Sequence, residues 1–213
     1  MKRMVLAALP ALLAGCDPEI PMAAALDGSA WDCSQWISAA DATPVDDAIR
    51  ESQRAADGLS WFVLEDFQEA KVESVKWMTT ALGVYEIYLN GKRVGQEALK
   101  PGFTHAHKTR RSFTYDVTPL YRQCETNFFA AEVSAGWWCD QVCGFQGKVP
   151  AFRSVVEFTF SDGTKKLVGT SVRNWKAAVA GNIVHAAIFD GEECDARIAP
   201  PYSGSPFLKQ PVA

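Results

Sequence analysis

A period of two runs through most of this chain and limits what it can fold into. Val84-Tyr85-Glu86-Ile87-Tyr88-Leu89 puts Tyr85, Ile87 and Leu89 on one side of an extended strand. Asn90-Gly91 follows without a spacer. Both residues accept positive φ, which the two-residue turn of a hairpin demands. Arg93-Val94-Gly95 is then the returning strand. The same pattern recurs downstream. Val155 to Phe160 alternates with Val156, Phe158 and Phe160 to one side, Ser161-Asp162-Gly163-Thr164 turns, and Lys166 to Val172 comes back. Trp61 to Phe67, Val72 to Thr80, Phe113 to Val117, Phe128 to Val133 and Ile183 to Phe189 are further strand-like runs. About eight short strands with turns between them predict an all-β antiparallel sandwich. A parallel α/β sheet would need a helix between successive strands, and the pattern offers none. One helical signal stands apart: Thr43 as cap, Pro44 in the first turn, Asp46 and Asp47 at the positive end and Gly58 as stop. It predicts a short helix near 44–56, or an inserted loop.

Composition sets the class. Of 213 residues, 48% are hydrophobic and 22% charged, with 12 Phe, 7 Trp and 5 Tyr, so the chain can build a core and is not a disordered tail. A net charge of −4 and a pI near 5.4 argue against a general nucleic-acid binder, which carries a basic face.

The N-terminus reads as an address. Lys2 and Arg3 precede an apolar run from Val5 to Gly15, eleven residues long. That is too short for a hydrocarbon core, which takes about 20 residues. The run ends in Leu13-Ala14-Gly15-Cys16, which resembles the lipobox of bacterial lipoproteins. The resemblance implies cleavage before Cys16, lipidation of its sulfur, and a bacterial cell-envelope protein held to a membrane by acyl chains. An ordinary cleaved signal is the alternative. The expected organisation is a signal over 1–15, a Pro/Ala/Gly-rich tether over 16–30, a sandwich domain over 31–198 and an irregular tail over 199–213.

Six cysteines are present. Export permits disulfides, and Cys139 and Cys143 are close enough in sequence to bridge across a turning loop. The same pair with His105 or His107 is a less complete alternative as a zinc set, because a second matched Cys/His pair is missing.

Five motifs carry a family resemblance. Ala81 to Gly95, with its Tyr85-Glu86-Ile87-Tyr88-Leu89-Asn90-Gly91 centre, resembles the opening of the N-terminal domain of bacterial α-L-rhamnosidases. That domain is the jelly-roll module preceding the catalytic barrel in glycoside hydrolase family 78. Leu99-Lys100-Pro101-Gly102-Phe103-Thr104 is similar to the family's Leu-x-Pro-Gly-Trp-Thr, and Phe113-Thr114-Tyr115-Asp116-Val117-Thr118 to its Gln-Thr-Tyr-Asp-Val-Thr. Gly136-Trp137-Trp138 with Gly144-Phe145, and Asp190-Gly191-Glu192 with Asp195-Ala196-Arg197, complete the series in family order. The chain departs from the pattern at His105, where the family usually carries an Asp. Calcium, possible by resemblance, is weakened there. It also departs at Cys139-Asp140-Gln141-Val142-Cys143. The residues after Arg197 are too few for the helical barrel.

In the rhamnosidases that barrel supplies the paired carboxylates of glycoside cleavage, as the resemblance implies. No acid pair, Gly-x-Ser-x-Gly nucleophile or phosphate loop stands out here. The reading is therefore a carbohydrate-binding module for rhamnose-containing glycans, without catalysis of its own. Sugar C–H faces pack on aromatic rings while a few fixed polar groups take the hydroxyls. Trp137, Trp138 and Asp140 in one loop, with Phe103 and His105 in another, are the candidate contacts. Adjacent tryptophans in an extended segment would face opposite ways, placing one of the two in the core. Two alternatives stand beside it: a structural or docking domain for a separate catalytic chain (or a truncated remnant), and a glycoside hydrolase with an unrecognised site. Lys108-Thr109-Arg110-Arg111 is a small basic run suited to acidic sugars or lipid headgroups, or simply to solvent. Asp195 and Arg197 are expected to form an ion pair.

Overall fold

The computed structural model describes residues 20–39, 59–139, 147, 149–189 and 191–198. Among these, eleven strands and two short 3-10 turns are formed: β1 Ser60–Asp66, β2 Val72–Leu82, β3 Val84–Leu89, β4 Lys92–Arg93, β5 Phe113–Asp116, β6 Asn127–Ser134, β7 Ala151–Phe160, β8 Lys165–Gly169, β9 Trp175–Val179, β10 Ile183–Ala187 and β11 Gly191–Cys194, with turns at Gly28–Cys33 and Thr118–Leu120. One sheet runs β4-β3-β6-β1-β9 and the other β5-β2-β7-β8, while β10 and β11 make a separate hairpin. Every pairing is antiparallel. The antiparallel sandwich is the fold that the period of two predicts.

The two sheets close on a common core. Phe62 and Leu64 of β1, Tyr85, Ile87 and Leu89 of β3, and Phe129 of β6 meet Val75 and Trp77 of β2 and Phe152, Val156 and Phe158 of β7. Trp77 meets Phe129 edge-on at 5.2 Å, and Phe62 stacks on Phe152 at 5.7 Å. Each such side chain contributes roughly 1.5–3 kcal/mol by leaving water. Asn90 and Gly91 take φ of 53° and 80°, as the hairpin turn requires.

Strand β1 is buried on both faces, which is why Trp61 to Leu64 reads as a continuous apolar run and not an alternating one. Its outward side chains, Trp61 and Val63, pack with Tyr88 and Ala130 under Ile183 and Ala186 of the β10–β11 hairpin.

The body starts earlier than the boundary expected at residue 31. Ile20 lies in the core, Met22 bridges to Tyr115, Ala23 donates to the Thr114 carbonyl, and Ile37 pairs with Phe152. A backbone acceptor at the edge of the four-stranded sheet is thus met by a stretch whose Pro/Ala/Gly composition reads as tether. The predicted helix near 44–56, Cys16, and the tail over 199–213 lie outside the described residues. Trp36, Trp61, Trp77 and Trp175 are buried scaffold aromatics, while Trp31 is half-buried beneath the Arg153 guanidinium at 5.2 Å. Asp195 and Arg197 form a two-pronged ion pair with bonds of 2.8 and 2.6 Å.

Candidate functional site

The β2–β3 corner, the β4–β5 loop and the loop leaving β6 converge at one end of the sandwich. Two glycines make the approach possible. Gly83 has φ 132°, and a Cβ there would stand 2.1 Å from the Ser134 carbonyl oxygen. Gly136 has φ 48°, and its Cβ would stand 2.6 Å from a Val84 methyl. No side chain fits at either position, so the Gly-Trp-Trp segment nests against the corner. Trp138 and Cys139 both bond back to the Ala135 carbonyl, forming a turn and not the extended segment expected from sequence. The turn sends the two indoles apart. Trp138 is buried and donates its Nε1–H to the Val149 carbonyl at 3.0 Å, with Gly147 against its ring. Trp137 stays partly exposed.

The β4–β5 loop is pinned from beneath. Tyr85 N–H donates to the Lys100 carbonyl at 2.8 Å. The Lys100 ammonium is fully buried, 3.1 Å from Glu86 Oε2 and 3.1 Å from the Val94 carbonyl, over the Tyr85 and Tyr115 rings. Burial lowers the Lys100 pKa, and Glu86 opposes that shift. Glu86 is also held by Arg93. A buried ion pair of this kind is costly to half-remove, so it fixes where the next residues stand.

Those residues are Phe103 to His107. Phe103, 60% exposed, meets the Trp137 ring edge-on at 6.0 Å. His105 lies 5.9 Å from His107, which lies 5.3 Å from Trp138. Sequence-predicted Phe103, His105, Trp137 and Trp138 are therefore brought together. Asp140 and Cys143 lie outside the described residues. Cys139 is a free, buried thiol whose pKa burial pushes up to about 12.

Between the loops is a shallow cleft lined by Gly83, Gly102, Thr104, Arg110, Arg111 and Trp137, among others. Its free volume of about 20 Å3 holds roughly one water, so the cleft offers its rim and not an interior. Arg110 and Arg111 belong to the basic run that the sequence shows, and the fold places them in one cleft with Trp137; the anchoring role of Lys100 escapes sequence reasoning, because Glu86 meets it only in the folded chain. At the calcium position suggested by resemblance stands His105, a nitrogen donor where calcium takes oxygens. Among the described residues no three His, Cys, Asp or Glu side chains gather into a metal set. The described residues do not fit that ion.

A second cleft of about 260 Å3 lies between the five-stranded sheet and the β10–β11 hairpin, lined by Glu86, Glu132, Ser134, Asn182 and Glu192 among others. Glu86 and Glu132 face each other across β3 and β6. Burial pushes the Glu132 carboxyl up to about 7, against the Tyr88 hydroxyl that donates to it at 2.6 Å.

An antiparallel sandwich with an aromatic loop cleft at one end defines the class, a β-sandwich module with a candidate binding face. The family follows from comparison. Residues 70–212 match the α-L-rhamnosidase N-terminal domain model, and the chain belongs to that family. It is 35% identical over 178 residues to an α-L-rhamnosidase of Streptomyces avermitilis, covering 82% of this chain and 16% of that protein. It is 33% identical over 175 residues to one from Alteromonas sp. strain LOR, covering 80% and 18%. The chain thus spans less than a fifth of either relative. Among solved structures, the Streptomyces avermitilis α-L-rhamnosidase complexed with L-rhamnose superposes with TM-score 0.62 at 36% identity, over 68% of this chain and 14% of that one. The Aspergillus terreus α-L-rhamnosidase superposes with TM-score 0.68 at 29% identity, over 82% and 20%.

Proposed function

We propose that this chain is a carbohydrate-recognition module that binds rhamnose-bearing glycans through its loop cleft. The observation that carries the reading is the contact between exposed Phe103 and the partly exposed Trp137 that lines the cleft. Rhamnose is a deoxy sugar with a methyl group and an apolar C–H face, which suit flat rings. Thr104 of the same cleft and His105, next to it in the loop, are the groups to take hydroxyls, and Trp138 is the floor beneath. Asp140 joins the contact set by its place in sequence. The membership in a rhamnosidase family supports rhamnose as the sugar. Catalysis is not part of the proposal.

Lipidation at Cys16 would hold the module to the bacterial envelope, where such a glycan is met at a surface. Labelled palmitate should enter the wild-type chain and not Cys16→Ser; label retained in the variant contradicts the anchor.

The function is tested on a glycan array carrying rhamnosides and other sugars. Retention on rhamnosides supports the reading, and silence across the array overturns it. A docking role alongside a separate catalytic chain is the second reading. Aryl-rhamnoside turnover by the pure chain would instead favour a hydrolase.

A further inference from the structure

The chain carries a net charge of −4, yet residues 98–115 contain Lys100, Lys108, Arg110 and Arg111 and no acid. Lys100 is spent on Glu86 inside the fold. The other three are exposed and sit at the loop end. Arg110 and Arg111 line the same cleft as Trp137 and Thr104.

The arginines are held in place. The Arg110 guanidinium lies 5.4 Å from the Trp36 ring centre, and that of Arg111 5.6 Å from Phe113. Arg111 Nη1 also crosses Gly102, 3.1 Å from where a Cβ would stand. Stacking on a ring leaves the edge N–H groups of a guanidinium able to donate, and fixing its plane lowers the entropy lost on binding. Neither Arg111 nor Lys108 makes an ion pair among the described residues. The nearby Glu97 accepts from the Tyr115 hydroxyl at 2.7 Å.

We propose that the cleft recognises rhamnose attached to a uronic acid, with the carboxylate of the neighbouring sugar received by Arg111 and attracted by Lys108. The rings select the deoxy sugar, and the guanidinium fork selects a planar anion beside it. This rests on the rhamnoside-binding reading and adds the class of its neighbour. An anionic membrane surface would meet the same charges but has no use for the aromatic pair, so the glycan is the favoured occupant.

The test uses the full chain and two disaccharides, rhamnosyl-glucuronate and rhamnosyl-glucose, titrated by calorimetry. The glucuronate should bind about tenfold tighter, the scale of one charge-assisted contact. Arg111→Gln should bring the ratio close to one, as should molar salt, where the screening length falls to about 3 Å. Arg111→Lys should recover part of it. Equal affinities in the wild type, with binding still lost in Trp137→Ala, overturn this inference and leave rhamnoside binding standing. No binding of either disaccharide overturns both. A ratio unchanged in Arg111→Gln removes Arg111 from the account. Binding to phosphatidylserine vesicles without preference for glucuronate reassigns the basic run to a membrane and overturns the proposal.

Discussion

Trp137 and Trp138 are neighbours in sequence with opposite duties. The first offers a partly exposed ring beside Phe103, and the second is buried with its indole N–H bonded to the Val149 carbonyl. Trp137→Ala should cost at least tenfold in rhamnoside affinity with little change in Tm. Trp138→Ala removes a packed ring and should lose about 3–5 kcal/mol of stability. Equal loss of stability in the two variants, measured by denaturant unfolding, would contradict this division. Glu132 gives a test by pH. Its carboxyl is raised from 4.5 to about 7 by burial. The folded state therefore binds its proton more tightly than the unfolded chain. The contribution is fully present below about 4.5 and is lost as pH climbs towards 7. Glu132→Gln keeps the acceptor for Tyr88 and removes the charge. It should flatten that fall, by on the order of 2 kcal/mol between the two pH values. A pH profile of stability unchanged by the substitution would count against it.

At the scale of elements, the β4–β5 loop lines much of the candidate cleft and Lys100 holds the loop. Lys100→Ala leaves Glu86 without one of its two cations and opens space between the Tyr85 and Tyr115 rings. The expected cost is about 3 kcal/mol in unfolding free energy, with weaker ligand binding. Wild-type stability in this variant would mean that the buried ammonium does not set the loop. Sequence reads some elements here and misses others for physical reasons. Strand β3 and its turn are legible because alternation and the Asn-Gly pair are local chemistry. What the Asn90 side chain does is not. It donates to the Leu120 carbonyl and to Asn127 while accepting from Phe128 N–H, contacts that only the closed fold creates. Strand β9 (Trp175–Val179) carries two alanines and a lysine, a weak β signal, and forms through its pairing with β1. Strand β7 begins at Ala151, earlier than the alternation from Val155, because β2 pairs along its whole length.

For the whole molecule, two layers and a cover divide the labour. The sheets make the core, the β10–β11 hairpin shields the outer face of β1, and one loop end is left with exposed rings and cations. Sequence shows the loop of Phe103 and His105 and the loop of Trp137 and Trp138 as two separate features, and leaves open whether they adjoin. Their meeting depends on Gly83 and Gly136, whose contacts span the sandwich corner. The hairpin's cleft with Glu132 was not legible, since Glu86 and Glu132 stand far apart in the chain and meet through β-pairing. Recognition of rhamnose at the loop end is the central claim. It is tested most directly by calorimetric titration of the full chain with methyl α-L-rhamnoside, alongside Trp137→Ala. The account predicts saturable heat for the wild type and its loss in the variant. A flat isotherm for the wild type, or undiminished binding in Trp137→Ala, would contradict it.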